Sequence, residues 1–136
     1  MAFASVEIIS VFNKIKPPYN INSSSQELAM KALDNIEQVN NWIKEIVSER
    51  EKLVKSLAGF SFMQKIFPSD ANFLLTKTKE PKKLYDYLIT KKIIVRDRSN
   101  VALCEGCLRI TVGTKEENKI LIETLKKYSV ITSEAK

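Results

Sequence analysis

Up to Gly59 the apolar residues of this chain recur at helical spacing, and beyond it short apolar runs take over. Ser5 stands where an N-cap would open a helix from Val6 to about Lys14. Ile8, Ile9, Val11, Phe12 and Ile15 cover much of that helix, and a short helix apolar on most sides needs partners on more than one. Lys16-Pro17-Pro18-Tyr19-Asn20 ends it, because a proline pair cannot continue a helix. Ser24 with Glu27 predicts a capping box for a second helix carrying Leu28, Ala29, Ala32 and Leu33. A longer helix follows from about Ile36 to Leu57. Trp42, Ile43, Ile46, Val47, Leu53, Val54 and Leu57 form its predicted inner face, and Lys44, Glu45, Glu49, Arg50, Glu51 and Lys52 its solvated one. Gly59 is the stop signal.

Phe60 to Phe67 reads as a strand, Pro68-Ser69-Asp70 as a turn and Asn72 to Thr76 as a second strand. Pro81 suits the first turn of a helix running to about Lys91, with Leu84, Tyr85, Leu88 and Ile89 inward. Ile93-Ile94-Val95 predicts a short strand, Asp97 to Glu105 a loop, and Cys107 to Val112 a further strand. Thr114 with Glu117 predicts a second capping box, opening a helix through Ile120, Leu121, Ile122 and Leu125, with a tail that frays from Ser129. The order is three helices, two strands, a helix, two strands and a helix. This is an α+β chain in two layers, helices packed on one face of a small, mostly antiparallel sheet.

Composition narrows the chemistry. The 136 residues contain no histidine, which removes Ser-His-Asp and Cys-His catalysis and histidine-ligated zinc. Net charge is +6, but the lysines fall in scattered pairs with acidic residues between them, so no nucleic-acid partner is expected. Cys104 and Cys107 offer two of the four ligands a structural zinc needs, and nothing else completes the set. They are expected to be ordinary thiols in a reducing compartment. No run approaches a membrane span, and Glu7 interrupts the first apolar stretch, so a cytoplasmic location without membrane contact is expected.

Neither a Gly-rich phosphate loop, a paired-carboxylate signature nor a nucleophile elbow occurs, so no catalytic, cofactor-binding or metal-binding residue is assigned. What the chain offers is an anion receiver. Strand alternation sends Leu108, Ile110 and Val112 to a core and Arg109 to the opposite face. A guanidinium on a rigid strand binds a carboxylate or phosphate through two parallel hydrogen bonds. Arg96 and Arg98 lie nearby, with local pairing to Asp97 or Glu105 as the alternative reading for both.

Four segments carry a resemblance. Lys16-Pro-Pro-Tyr-Asn-Ile-Asn22, Pro68-Ser-Asp-Ala-Asn-Phe73, Ile94-Val-Arg-Asp-Arg-Ser99 and Cys107-Leu-Arg-Ile-Thr-Val-Gly-Thr114, the last followed by Glu116-Glu-Asn118, resemble in order and spacing the C-terminal part of histidinol-phosphate aminotransferase. The resemblance spans about Met1 to Tyr128. It implies a fold type I pyridoxal-phosphate aminotransferase of histidine biosynthesis, homodimeric, moving an amino group between glutamate and imidazole-acetol phosphate. It also implies that residues 1–22 are an interdomain connecting helix and Pro-Pro linker, and residues 23–136 the C-terminal small domain. Arg109 and Arg96 fall on the family's small-domain arginines that hold the substrate anion. None of the lysines present matches the family's Schiff-base motif, so the chain alone is expected to be inactive. The first helix is then expected to lack its large-domain partner and to favour self-association. Related readings are a threonine-phosphate decarboxylase or an aromatic aminotransferase, and, in a different class, a non-catalytic basic binding module.

Overall fold

The computed structural model describes residues 3–17 and 21–134, so Pro18, Tyr19 and Asn20 of the proline linker lie outside the described residues. The chain forms two compact units, Met1–Asn40 and Asn41–Lys136.

The first unit holds α1 (Val6–Ile15), α2 (Ser23–Asp34) and the opening of α3 (Ile36–Ala58). α1 starts after Ser5, carries Glu7 in its first turn and Lys14 in its last, and buries none of its residues. Those charges suit the helix dipole. α2 is not capped by the predicted Ser24–Glu27 box. Asn22 stands one residue ahead of the helix in an extended conformation, and its side-chain oxygen accepts the Ser25 N–H at 2.7 Å. That bond reaches the third helical residue, as an N-cap requires, and with the Gln26 N–H bonded to the Asn22 carbonyl the helix opens two residues ahead of where Ser24 would cap it.

The second unit is an antiparallel sheet with helices on one face. Its strands are β1 (Met63–Ile66), β2 (Phe73–Thr78), β3 (Arg96–Asp97) and β4 (Cys107–Thr111), in the spatial order β1-β2-β4-β3. α4 (Pro81–Thr90) and α5 (Lys115–Glu134) complete it. Leu74 and Thr76 of β2 lie opposite Ile110 and Leu108 of β4. With Leu53 and Leu57 of α3, Leu84 and Leu88 of α4, and Leu121 and Leu125 of α5 they make the core. The Thr76 hydroxyl, buried among them, donates to the Leu108 carbonyl at 3.2 Å.

Four further predicted features shift, each for a local reason. The inner face of α3 is shorter than its apolar pattern: Trp42 is 54% and Ile43 52% exposed, while Leu53 and Leu57 are buried. A helix of this length runs about 35 Å, whereas strands of four to six residues cover only about 20 Å. Only the C-terminal half of α3 can therefore lie over the sheet. The first strand begins at Met63, because Phe60 and Met63 are held in turns by the Leu57 and Phe60 carbonyls. The third strand is Arg96–Asp97 and not Ile93–Val95. The Lys92 and Ile93 N–H groups still bond to the end of α4, at Ile89 and Leu88, so the chain cannot join the sheet until it clears that turn. Finally α5 runs on to Glu134 where fraying from Ser129 was expected. Tyr128 is buried there, and the Thr132 and Ser133 hydroxyls bond back to carbonyls of the preceding turn.

The predicted capping box of α5 forms as read: Thr114 N–H donates to the Glu117 carboxylate at 2.8 Å, and Glu117 N–H to the Thr114 hydroxyl at 3.3 Å. Beside it, Asn118 bonds both polar groups of Gly113 at 3.0 Å and donates to Glu49 of α3 at 3.1 Å. Glu49, expected on the solvated face of α3, is instead buried at 5% exposure, because it accepts from Asn118 and also from Lys52 at 2.8 Å. The hydrogen bonds from Lys52 and then Asn118 hold the Glu49 carboxyl below the usual carboxylate range. Asn118→Ala leaves this carboxylate under-satisfied and is expected to cost about 1–3 kcal/mol of stability. The pH dependence has a definite sign. A depressed carboxyl stabilises the fold above its unfolded value, and that contribution disappears as pH falls through the folded one. Removing Asn118 raises the folded value, so acid unfolding followed by circular dichroism should move to higher pH. An unmoved midpoint would exclude Glu49 from the linkage.

Candidate anion-binding site

The face of the sheet turned away from α3, α4 and α5 is set by register. Arg109 lies opposite Leu75 on one side and Arg96 on the other. Directly opposed residues share a face, so the two arginines project together. Phe73, two residues from Leu75 on β2, is on that face too, and the Arg109 guanidinium lies 4.8 Å from the centre of its ring. The ring supports the guanidinium plane by a cation–π contact. Lys65 pairs with Lys77 on the same face, and the Lys65 ammonium lies 4.6 Å from the Phe67 ring centre.

The electrostatics of this face are unbalanced. Like charges directly opposite one another disfavour a strand pair, yet no carboxylate among the described residues lies within ion-pairing distance of Arg96 or Arg109. The carboxylates weighed as local partners are engaged by the backbone. Asp97 accepts the Ser99 N–H at 2.8 Å, and Glu105 accepts the Leu103 N–H at 3.1 Å. The bonds from Ser99 hold Asp97 below its ordinary range, so it remains a committed acceptor. Arg109 Nε is buried and has no hydrogen-bond partner among the described residues. A buried donor without an acceptor is costly, and a carboxylate or phosphate is the kind of group that could satisfy it.

The structure therefore brings Arg96 and Arg109 together. Arg98 falls one residue beyond β3, where its backbone N–H closes the loop on the Cys107 carbonyl at 2.9 Å. The sequence pattern alone does not single out Phe73. Its signal is an aromatic residue on the strand face opposite Leu74, where a core-only pattern would place a polar one. Among the described residues no group of three His, Cys, Asp or Glu could hold a metal, and no helix is long and apolar enough to cross a membrane.

Known proteins share this arrangement of elements. The histidinol-phosphate aminotransferase of Flavobacterium psychrophilum is 56% identical over 124 residues, which is 91% of this chain and 36% of that protein. That of Cytophaga hutchinsonii is 51% identical over 127 residues, again 36% of its length. The chain thus spans about a third of the relatives it matches. The crystal structure of the histidinol-phosphate aminotransferase from Clostridium acetobutylicum superposes with a TM-score of 0.83 at 25% identity, over 90% of this chain and 38% of that one. An L-threonine-O-3-phosphate decarboxylase from Porphyromonas gingivalis, at TM-score 0.73 and 22% identity over 92% of this chain and 39% of its own, shares the fold. The model of the family described as aminotransferase class I and II matches residues 1–125. This chain, an α+β domain with two opposed arginines on its open sheet face, belongs to the aminotransferase class I and II family.

Proposed function

We propose that the chain is the part of a histidinol-phosphate aminotransferase that grips the substrate's anionic end. The observation that carries this is the Arg96–Arg109 pair, two cations held opposite each other with Arg109 Nε buried and unpartnered. Arg109 is the fixed half of the grip, half-buried and seated on Phe73, and Arg96 is the exposed half. A carboxylate or a phosphate presents two oxygens to such forks, so glutamate and a phosphorylated amino alcohol both suit them. Within this reading residues 1–22 serve as connecting helix and Pro-Pro linker and residues 23–136 as the small domain of a cytoplasmic, homodimeric enzyme.

In the full-length enzyme the cofactor is pyridoxal phosphate, which would supply the electron sink for amino transfer. The described residues do not fit a pocket for it. Every lysine among them is exposed, and the one buried carboxylate, Glu49, is taken up by Lys52 and Asn118. The chain's own part is binding and orientation. Two measurements test this. Adding equimolar pyridoxal phosphate to the chain should leave the spectrum of the free cofactor; a stoichiometric shifted band would contradict the assignment of binding alone. Titrating the labelled chain with histidinol phosphate should move the Arg96 and Arg109 side-chain NMR signals, and Arg109→Ala should abolish the response. Signals that stay in place would remove the pair from the site.

A further inference from the structure

The two cysteines are left unused by anion binding, and the structure gives them a definite geometry. The loop between β3 and β4 is a succession of tight turns. Val101 N–H donates to the Arg98 carbonyl, Cys104 N–H to Val101 and Cys107 N–H to Cys104, each at 2.9 Å. The last of these turns is Cys104-Glu105-Gly106-Cys107. Gly106 has φ 77°, the positive angle that a type II turn needs at its third residue. A turn of this kind holds its first and fourth Cα atoms within about 7 Å. A disulfide needs Cα atoms about 4.4–6.8 Å apart. The turn therefore brings the two Cα atoms into the range that a disulfide spans before any bond forms.

The surroundings divide the labour. Cys104 is half-buried and reachable, whereas Cys107 is buried at the start of β4. Burial, and then the neighbouring Cys104, push the Cys107 thiol up, while the Lys77 ammonium works against them. The Lys77 stem lies along the turn, close to Gly106. Thiolates attack and thiols do not, so the first sulfur to react is the accessible one.

We infer that Cys104 and Cys107 form a reversible dithiol–disulfide pair, closed by exchange with a low-molecular-weight disulfide. Cys104 gives its proton to solvent and attacks one sulfur of that disulfide, making a mixed disulfide and expelling one small thiolate. Cys107 then loses its proton, attacks the Cys104 sulfur and expels the second thiolate. Two protein thiols are oxidised, one external disulfide is reduced to two thiols, and no other oxidant is needed. The bond closes the turn that leads into β4, two residues ahead of Arg109. This inference does not depend on the proposed function.

The test uses the full 136-residue chain in graded mixtures of reduced and oxidised glutathione, quenched with a maleimide and weighed by mass spectrometry. The folded chain should pass from two labelled thiols to none, lose two hydrogens, and revert under dithiothreitol. Digestion should yield a Cys104–Cys107 peptide. Cys107→Ser should stop at one glutathione on Cys104, and Cys104→Ser should remain largely unmodified. The same titration in urea separates turn geometry from mere proximity in sequence: closure should be favoured about tenfold or more in the folded chain. Two persistent free thiols, a stable mixed disulfide in the unaltered chain, disulfide-linked dimers, or equal closure in urea would each overturn the inference.

Discussion

On the proposed function, Arg109→Ala in the full-length enzyme is expected to cut kcat/KM for glutamate by about 30-fold or more, because removing one side of a desolvated charged contact costs about 2–5 kcal/mol. The loss should fall mainly on KM, since in that role the guanidinium would hold a group that does not change charge during the reaction. Arg109→Lys keeps the charge but not the two-pronged donor, so it should recover only part of the loss. Phe73→Leu should have a smaller effect in the same direction, as the ring sets only the plane of the guanidinium. Steady-state kinetics with each variant, alongside circular dichroism to establish folding, make the check. An unchanged KM in Arg109→Ala would take this residue out of the site.

Leu108→Ala is the second large effect, and it acts on the fold. Leu108 has no exposed surface and sits on a central strand, between Thr76 of β2 and Asp97 of β3. Truncating a buried leucine costs about 2–5 kcal/mol through lost burial and the cavity left behind. Small domains have about 5–15 kcal/mol in total, so one such change takes a large share. The urea midpoint should fall clearly while the slope of the transition stays the same. Ile120→Ala on the outer side of α5, 55% exposed, serves as the comparison and should move the midpoint little. Equal effects from the two would place the core elsewhere.

The parts of this fold legible in the sequence are those fixed by neighbours close along the chain. Pro81 at the start of α4 and the Thr114–Glu117 box of α5 depend on contacts within three residues, and both stand where the pattern puts them. The alternation of Leu108, Arg109 and Ile110 likewise needs only a strand. What escaped depends on partners distant in sequence or on competition between adjacent groups. Ile94 looks like a strand residue by composition, yet the turn at the end of α4 keeps its segment out of the sheet, and Ile94 ends 83% exposed. Trp42 matches the apolar stripe of α3, but the sheet is too short to cover it. Asn22 took the cap from Ser24 because either side chain could reach a free N–H and Asn22 stood earlier. At the site, the sequence names Arg109, Arg96 and Arg98 but leaves open whether Asp97 or Glu105 pairs with Arg96 and Arg98. Backbone donors at Ser99 and Leu103 decide that question, and backbone donors leave no mark on composition.

The pairing of β3 with β4 carries a consequence for how this domain can vary. Strand side chains alternate with a period of two, so sliding β3 by one residue exchanges its faces. Arg96 would leave the open face and Asp97 would stand opposite Arg109 in its place. The anion receiver would then neutralise itself, with the domain still folded and its composition unaltered. Outside the Cys104–Gly106 turn, residues 98–106 are thus freer to differ in identity than in number: one residue gained or lost there would turn the anion receiver into an internal ion pair.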